Sequence, residues 1–141
     1  MSTPPASLDI LVIEDNEQNR YLLSFLLESS GHRVRLANDG MAGVRLAELL
    51  TPDLILLDIQ LPTMHGYDVA IALRQVPALR STPIVAVTSY AMPGDREKAL
   101  EAGCDGYIEK PIDPDTFVAQ AVAFWRSDSP SEPPATPGTS P

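Results

Sequence analysis

The chain has 141 residues, 44% of them hydrophobic, and its 10 basic against 19 acidic side chains leave a net charge of −9. That length and apolar content suit one domain with its own core, while the acidic balance, without clustered Lys and Arg, argues against direct binding to nucleic acid or anionic membrane and permits a cation site. One cysteine, no basic-then-apolar leader and no run of roughly 20 apolar residues together predict a cytoplasmic protein without disulfide, signal peptide or membrane span.

Residues 8–13, Leu-Asp-Ile-Leu-Val-Ile, predict a first strand that runs out in the pair Glu14-Asp15. Asp15 or Asn16 caps the helix that follows, its apolar set includes Leu22, Leu23, Phe25, Leu26 and Leu27, and Gly31 is placed to end it. Residues 33–37 alternate with period two, as a half-exposed edge strand does, and Asn38-Asp39-Gly40 turns into a second helix over about 41–50. Thr51-Pro52 stops that helix. Leu54-Ile55-Leu56-Leu57 then forms an unbroken apolar run, the pattern of a central parallel strand buried on both faces, and it ends abruptly in Asp58.

A third helix is expected over about 67–76, after the loop containing Pro62 and His65. Pro83 opens another apolar strand, Ile84-Val85-Ala86-Val87, which ends in the hydroxyl of Thr88. Pro93-Gly94-Asp95 starts a short fourth helix that closes at Gly103. Residues 106–109 form the last strand, running into Lys110-Pro111, and Asp113-Pro114 opens the last helix. Phe117, Ala121 and Trp125 recur there at fourfold spacing and read as core packing. Cys104 reads as a buried structural thiol, and His32 and His65 as surface residues. Residues 1–7 are expected to be flexible, 8–126 to form the domain, and the Pro/Ser/Thr-rich 127–141 to be disordered.

Five strands alternating with five helices predict an α/β fold, a parallel sheet covered on both faces. Glu14 and Asp15, Asp58, Thr88 and Lys110 all stand where strands end, at the carboxyl edge where open α/β sheets put their ligands. Crowded carboxylates resist ionising without a cation, and an oxygen-only ligand set points to a hard ion, with Mg²⁺ the natural candidate. Such a site suits an incoming phosphoryl group: Lys110 as a point charge on one oxygen, Thr88 as a donor to another, and centrally placed Asp58 as the nucleophile forming an aspartyl-phosphate.

Val12-Ile13-Glu14-Asp15-Asn16, the stretch from Asp53 through Asp58 to Pro62, Val87-Thr88-Ser89, Gly103-Cys104-Asp105-Gly106-Tyr107 and Lys110-Pro111 together resemble the receiver domain of two-component response regulators. The resemblance to this CheY-like family covers about 8–126 and is similar to stand-alone receivers of the DivK type or those fused to hybrid kinases. It implies a flavodoxin-like three-layer α/β/α fold with strand order 2-1-3-4-5. It implies that Asp58 accepts a phosphoryl group from a phosphohistidine of a histidine kinase or phosphotransfer protein. Asp15, Asp58 and the backbone carbonyl of Gln60 would ligate Mg²⁺, with Glu14 reaching it through water. Thr88 and Lys110 would hold the phosphoryl oxygens, Tyr107 would be the aromatic switch, and the bond before Pro111 would be cis. Gln60 and Tyr90 take positions that tune phosphoryl lifetime in the family.

On this reading the chain is a signalling switch and not a turnover enzyme, monomeric or weakly dimeric, with no DNA-binding output domain legible in these residues. A Mg²⁺-dependent phosphohydrolase using an aspartyl-phosphate is the alternative; enzymes of the haloacid dehalogenase type usually carry an acidic residue two places after the nucleophile, where this chain has Gln60. A flavin-binding module is disfavoured by the absence of a Ser/Thr/Gly-rich phosphate cradle after the strands.

Overall fold

The computed structural model describes residues 7–61, 64–89 and 93–126. Within them lie five strands, β1 (Asp9–Ile13), β2 (Arg33–Ala37), β3 (Leu54–Asp58), β4 (Ile84–Thr88) and β5 (Gly106–Glu109). They pair in parallel in the order β2-β1-β3-β4-β5. The helices are α1 (Glu17–Ser29), α2 (Gly40–Leu50), α3 (Gly66–Arg74), α4 (Asp95–Ala102) and α5 (Phe117–Arg126). This is the flavodoxin-like, CheY-like three-layer architecture. The expected flexible start and disordered tail concern residues that, Ser7 apart, lie outside those described, as does Tyr90.

Alternation along the strands divides the interior in two. Leu11, Ile13, Ile55, Leu57, Ile84 and Ala86 face a core completed by Ala47, Val69, Ala70, Leu73 and Ala99, so α2, α3 and α4 cover that side. Ile10, Val12, Leu54, Leu56, Val85 and Val87 face Leu23, Leu27, Phe117 and Ala121 of α1 and α5. Two buried faces are why β3 and β4 read as unbroken apolar runs. Trp125 packs at the margin of the second core, and Cys104 is buried in the first, where burial pushes its thiol up to about 12.

Local chemistry sets the helix ends. Asn16 and Asp39 cap α1 and α2, accepting hydrogen bonds from the backbone N–H groups of Asn19 and Ala42 at 2.8 Å. Beyond α1, Gly31 adopts φ +96° and its N–H donates to the carbonyl of Glu28, ending the helix as its position predicts.

Four sequence expectations change. Phe25 is 55% exposed: at about 100° per residue it lies about 200° round the helix from both Leu23 and Leu27, which are buried. His32 is half-buried, and its Nδ1 accepts a hydrogen bond of 3.1 Å from the Leu8 N–H. The third helix stops at Arg74, and a separate 3-10 turn, Pro77–Leu79, buries Leu79. The stretch after Asp113-Pro114 is a turn in which the Asp113 carboxylate accepts from the Asp115 N–H, with α5 beginning only at Phe117.

Candidate functional site

Strand register builds the site. Ile13 lies opposite Leu57, so the residues that follow them, Glu14 and Asp58, come side by side at the carboxyl edge. Asp58 itself pairs with Val87, and Thr88 with Glu109, which puts Thr88 and Lys110 at the next two strand ends. Glu14, Asp58 and Thr88 are 1%, 5% and 1% exposed, unusual burial for such groups, whereas Asp15 is open to solvent. Glu14, Asp15 and Asp58 each offer a carboxylate oxygen within 4.8 Å of the others.

Positive charge and donors surround this cluster. The Lys110 ammonium sits 2.9 Å from Glu14 Oε1 and 3.9 Å from Asp58 Oδ2. The Asn16 N–H donates to Glu14 Oε2 at 3.2 Å, and the Gln60 N–H donates to Asp58 Oδ1 at 3.0 Å. Burial raises the Asp58 carboxyl to about 6, and neighbouring Glu14 adds to the rise; the Gln60 N–H and the Lys110 charge pull the other way. A buried carboxylate held this high is one that a divalent cation would return to its ionised form, and the all-oxygen donor set fits a hard ion such as Mg²⁺.

The structure thus brings Glu14, Asp15, Asp58, Gln60, Thr88 and Lys110 together. Two further side chains, neither of which was assigned a role from the sequence, belong to the surroundings. Arg20, one turn into α1, donates through Nη1 to the backbone carbonyls of Glu14 (2.9 Å) and Asp15 (3.0 Å), fixing the acidic loop. Ser89 Oγ donates to Gln60 Oε1 at 3.0 Å, linking the loops that follow β3 and β4. The peptide bond between Lys110 and Pro111 is cis. Tyr107 lies near the start of β5, half-buried, its hydroxyl enclosed and without a hydrogen-bond partner among the described residues. Burial, followed by the charges of Asp95 and Glu109, raises its phenol. Neighbouring Tyr67 donates its hydroxyl to the Asp95 carbonyl at 3.2 Å. His65, read as a surface residue, is exposed; it caps α3 by accepting the Tyr67 N–H at Nδ1.

Comparison with known proteins agrees with this geometry. The family model for the response regulator receiver domain matches residues 10–122. The polar-differentiation response regulator DivK of Brucella anthropi is 41% identical over 115 residues, 82% of this chain and 94% of its own. The receiver domain of a sensor histidine kinase from Pseudomonas aeruginosa PAO1, solved with a magnesium ion coordinated in its active-site cleft, superposes with a TM-score of 0.79 at 36% identity, covering 86% of this chain and 99% of that one. The chemotaxis protein CheY4 of Vibrio cholerae superposes with a TM-score of 0.80 at 26% identity, covering 84% and 99%.

Proposed function

The chain belongs to the response regulator receiver domain family, and from that premise we propose that it takes a phosphoryl group onto Asp58 from a phosphohistidine of a histidine kinase or phosphotransfer protein. In that transfer an Asp58 oxygen bonds to phosphorus as the P–N bond to the donor imidazole breaks. The observation that carries the reading is a carboxylate 5% exposed at the centre of the sheet, flanked by a buried glutamate and a lysine within 4 Å. Such a set of crowded, partly desolvated carboxylates beside a lysine supports a phosphoacceptor role.

Each neighbour has a part. Asp15, Asp58 and the backbone carbonyl of Gln60 would hold Mg²⁺, with Glu14 reaching it through water. When bound, the ion supplies charge neutralisation for the phosphoryl oxygens. Lys110 lies close enough to Asp58 to shift from Glu14 toward an added phosphoryl oxygen. Thr88 would donate to a second oxygen, and Tyr107, whose hydroxyl is enclosed, would be the side chain that repositions with it. The phosphohydrolase alternative needs a proton shuttle at position 60; Gln60 has a neutral amide there and spends its oxygen on Ser89.

The domain is then a phosphorylation-dependent interaction switch, folded over 8–126, cytoplasmic and monomeric or weakly dimeric. Among the described residues, no helix is long and apolar enough to cross a membrane. Intact mass after incubation with acetyl phosphate and Mg²⁺ tests the assignment. One Mg²⁺-dependent phosphoryl increment is expected, absent from Asp58→Asn, which should fold normally. An equal increment on that variant would move the acceptor elsewhere.

A further inference from the structure

We propose that Arg20 sets the affinity of the acceptor site for Mg²⁺ by holding the backbone on both sides of Asp15. The proposal rests on the Mg²⁺ site read above and gives a part in it to a residue that would not touch the ion. Asp15 is exposed, and no side chain among the described residues grips its carboxylate. Its place within 4.8 Å of the Glu14 and Asp58 oxygens therefore depends first on the direction of the backbone that carries it. Two peptide planes set that direction, the one before the Asp15 Cα and the one after it. The Glu14 carbonyl belongs to the first plane and the Asp15 carbonyl to the second. Arg20 Nη1 donates to both, at 2.9 and 3.0 Å, so one nitrogen clamps the two planes that aim the Asp15 Cβ.

The clamp stands on a firm base. The Arg20 N–H donates to the Asn16 carbonyl at 2.9 Å, within the first turn of α1, and Asn16 Oδ1 caps that turn. An arginine beside three crowded carboxylates would ordinarily pair with one of them. Among the described residues, Arg20 forms no ion pair with Glu14, Asp15 or Asp58, and so leaves those carboxylates to a cation. Charge and position then pull in opposite directions. As a bare positive charge, Arg20 repels Mg²⁺, and its loss would tighten binding. As a clamp, it spares the ion the ordering of a loop ligand, and its loss weakens binding. Outer contacts of this kind carry roughly 10–100-fold in metal affinity, more than a half-buried charge screened by water and salt takes away. Arg20 is a positioning residue, and the clamp wins.

The test titrates Mg²⁺ into the full chain at fixed ionic strength and follows the Asn16 and Gln60 amide shifts in wild type, Arg20→Ala and Arg20→Met. Both substitutes lack charge and donors and favour helix, so α1 should persist. Dissociation constants about tenfold higher are expected in both variants. The Mg²⁺ concentration for half-maximal phosphoryl acceptance from acetyl phosphate should rise by the same factor, while the rate at saturating Mg²⁺ recovers. General loosening of α1 would not separate affinity from rate in that way. Unchanged or tighter Mg²⁺ binding in the variants overturns the proposal while leaving the metal site and Asp58 in place, and so does a rate that stays low at saturating Mg²⁺. Phosphoryl acceptance by wild type that needs no Mg²⁺, with amides that do not shift, overturns the metal site and the proposal with it.

Discussion

Gly66 shows how closely single residues are constrained near the acceptor. A Cβ there would press on Ile59 Cα and lie 2.8 Å from the Asp58 carbonyl oxygen, backbone atoms that have nowhere to move. Gly66→Ala should therefore lower unfolding free energy by about 2–4 kcal/mol, read as a reduced urea midpoint at unchanged slope. Arg74 is constrained from the opposite direction, by what it holds. Its guanidinium donates to the carbonyls of Gly103 (2.9 Å), Leu79 (2.8 Å) and Thr82 (2.7 Å) and to the Asp105 carboxylate (2.7 Å), tying the end of α3 to the turns before β4 and β5. Arg74→Ala orphans several of these acceptors, and a loss of about 2–3 kcal/mol is expected by the same measurement. The acidic, hydroxyl and lysine residues of the site were legible because each stands where a strand ends. Gly66 and Arg74 were not, because a close approach and a set of accepted hydrogen bonds depend on segments distant in sequence. Ser89 escaped for the same reason: its partner is 29 residues away.

At the scale of elements, the strands were the most readable and the helix boundaries the least. Burial on both faces imposes an apolar run that nothing else in a short chain imitates, so β3 and β4 announce themselves. Helix ends answer to weaker local terms, and α5 accordingly starts at Phe117 after a turn, while α3 yields to a 3-10 turn at Pro77. His32, taken for a surface residue, instead secures the start of β1, since its Nδ1 accepts the Leu8 N–H. Desolvation holds its imidazole below the ordinary value of 6.5. The folded state therefore binds the proton less readily than the unfolded chain. The stabilisation is complete above 6.5 and is lost as pH falls through the depressed folded value. His32→Asn keeps an acceptor but cannot titrate, so its unfolding free energy should fall less steeply than that of wild type on acidification below 6.5. Parallel slopes would remove His32 as the source.

Across the described residues, the two cores draw on side chains from Leu8 to Trp125. Deleting 127–141, a stretch of Pro, Ser and Thr with no apolar period, should shift Tm by less than about 2 °C; a drop of many degrees would show that it docks. The division into two cores also ties the site to the reading frame of the strands. Odd and even positions of β3 serve opposite cores, and Asp58 takes its place as the next step in that count. Deleting one residue between Leu54 and Leu57 would exchange every later side chain between the layers and turn the acceptor's Cβ to the other face of the sheet. An added residue in the exposed turn around Arg80 changes no parity. In a library of single-codon insertions and deletions, phosphoryl acceptance should accordingly vanish throughout β3 and survive in that turn, drawing the central strand as a sharply bounded intolerant interval.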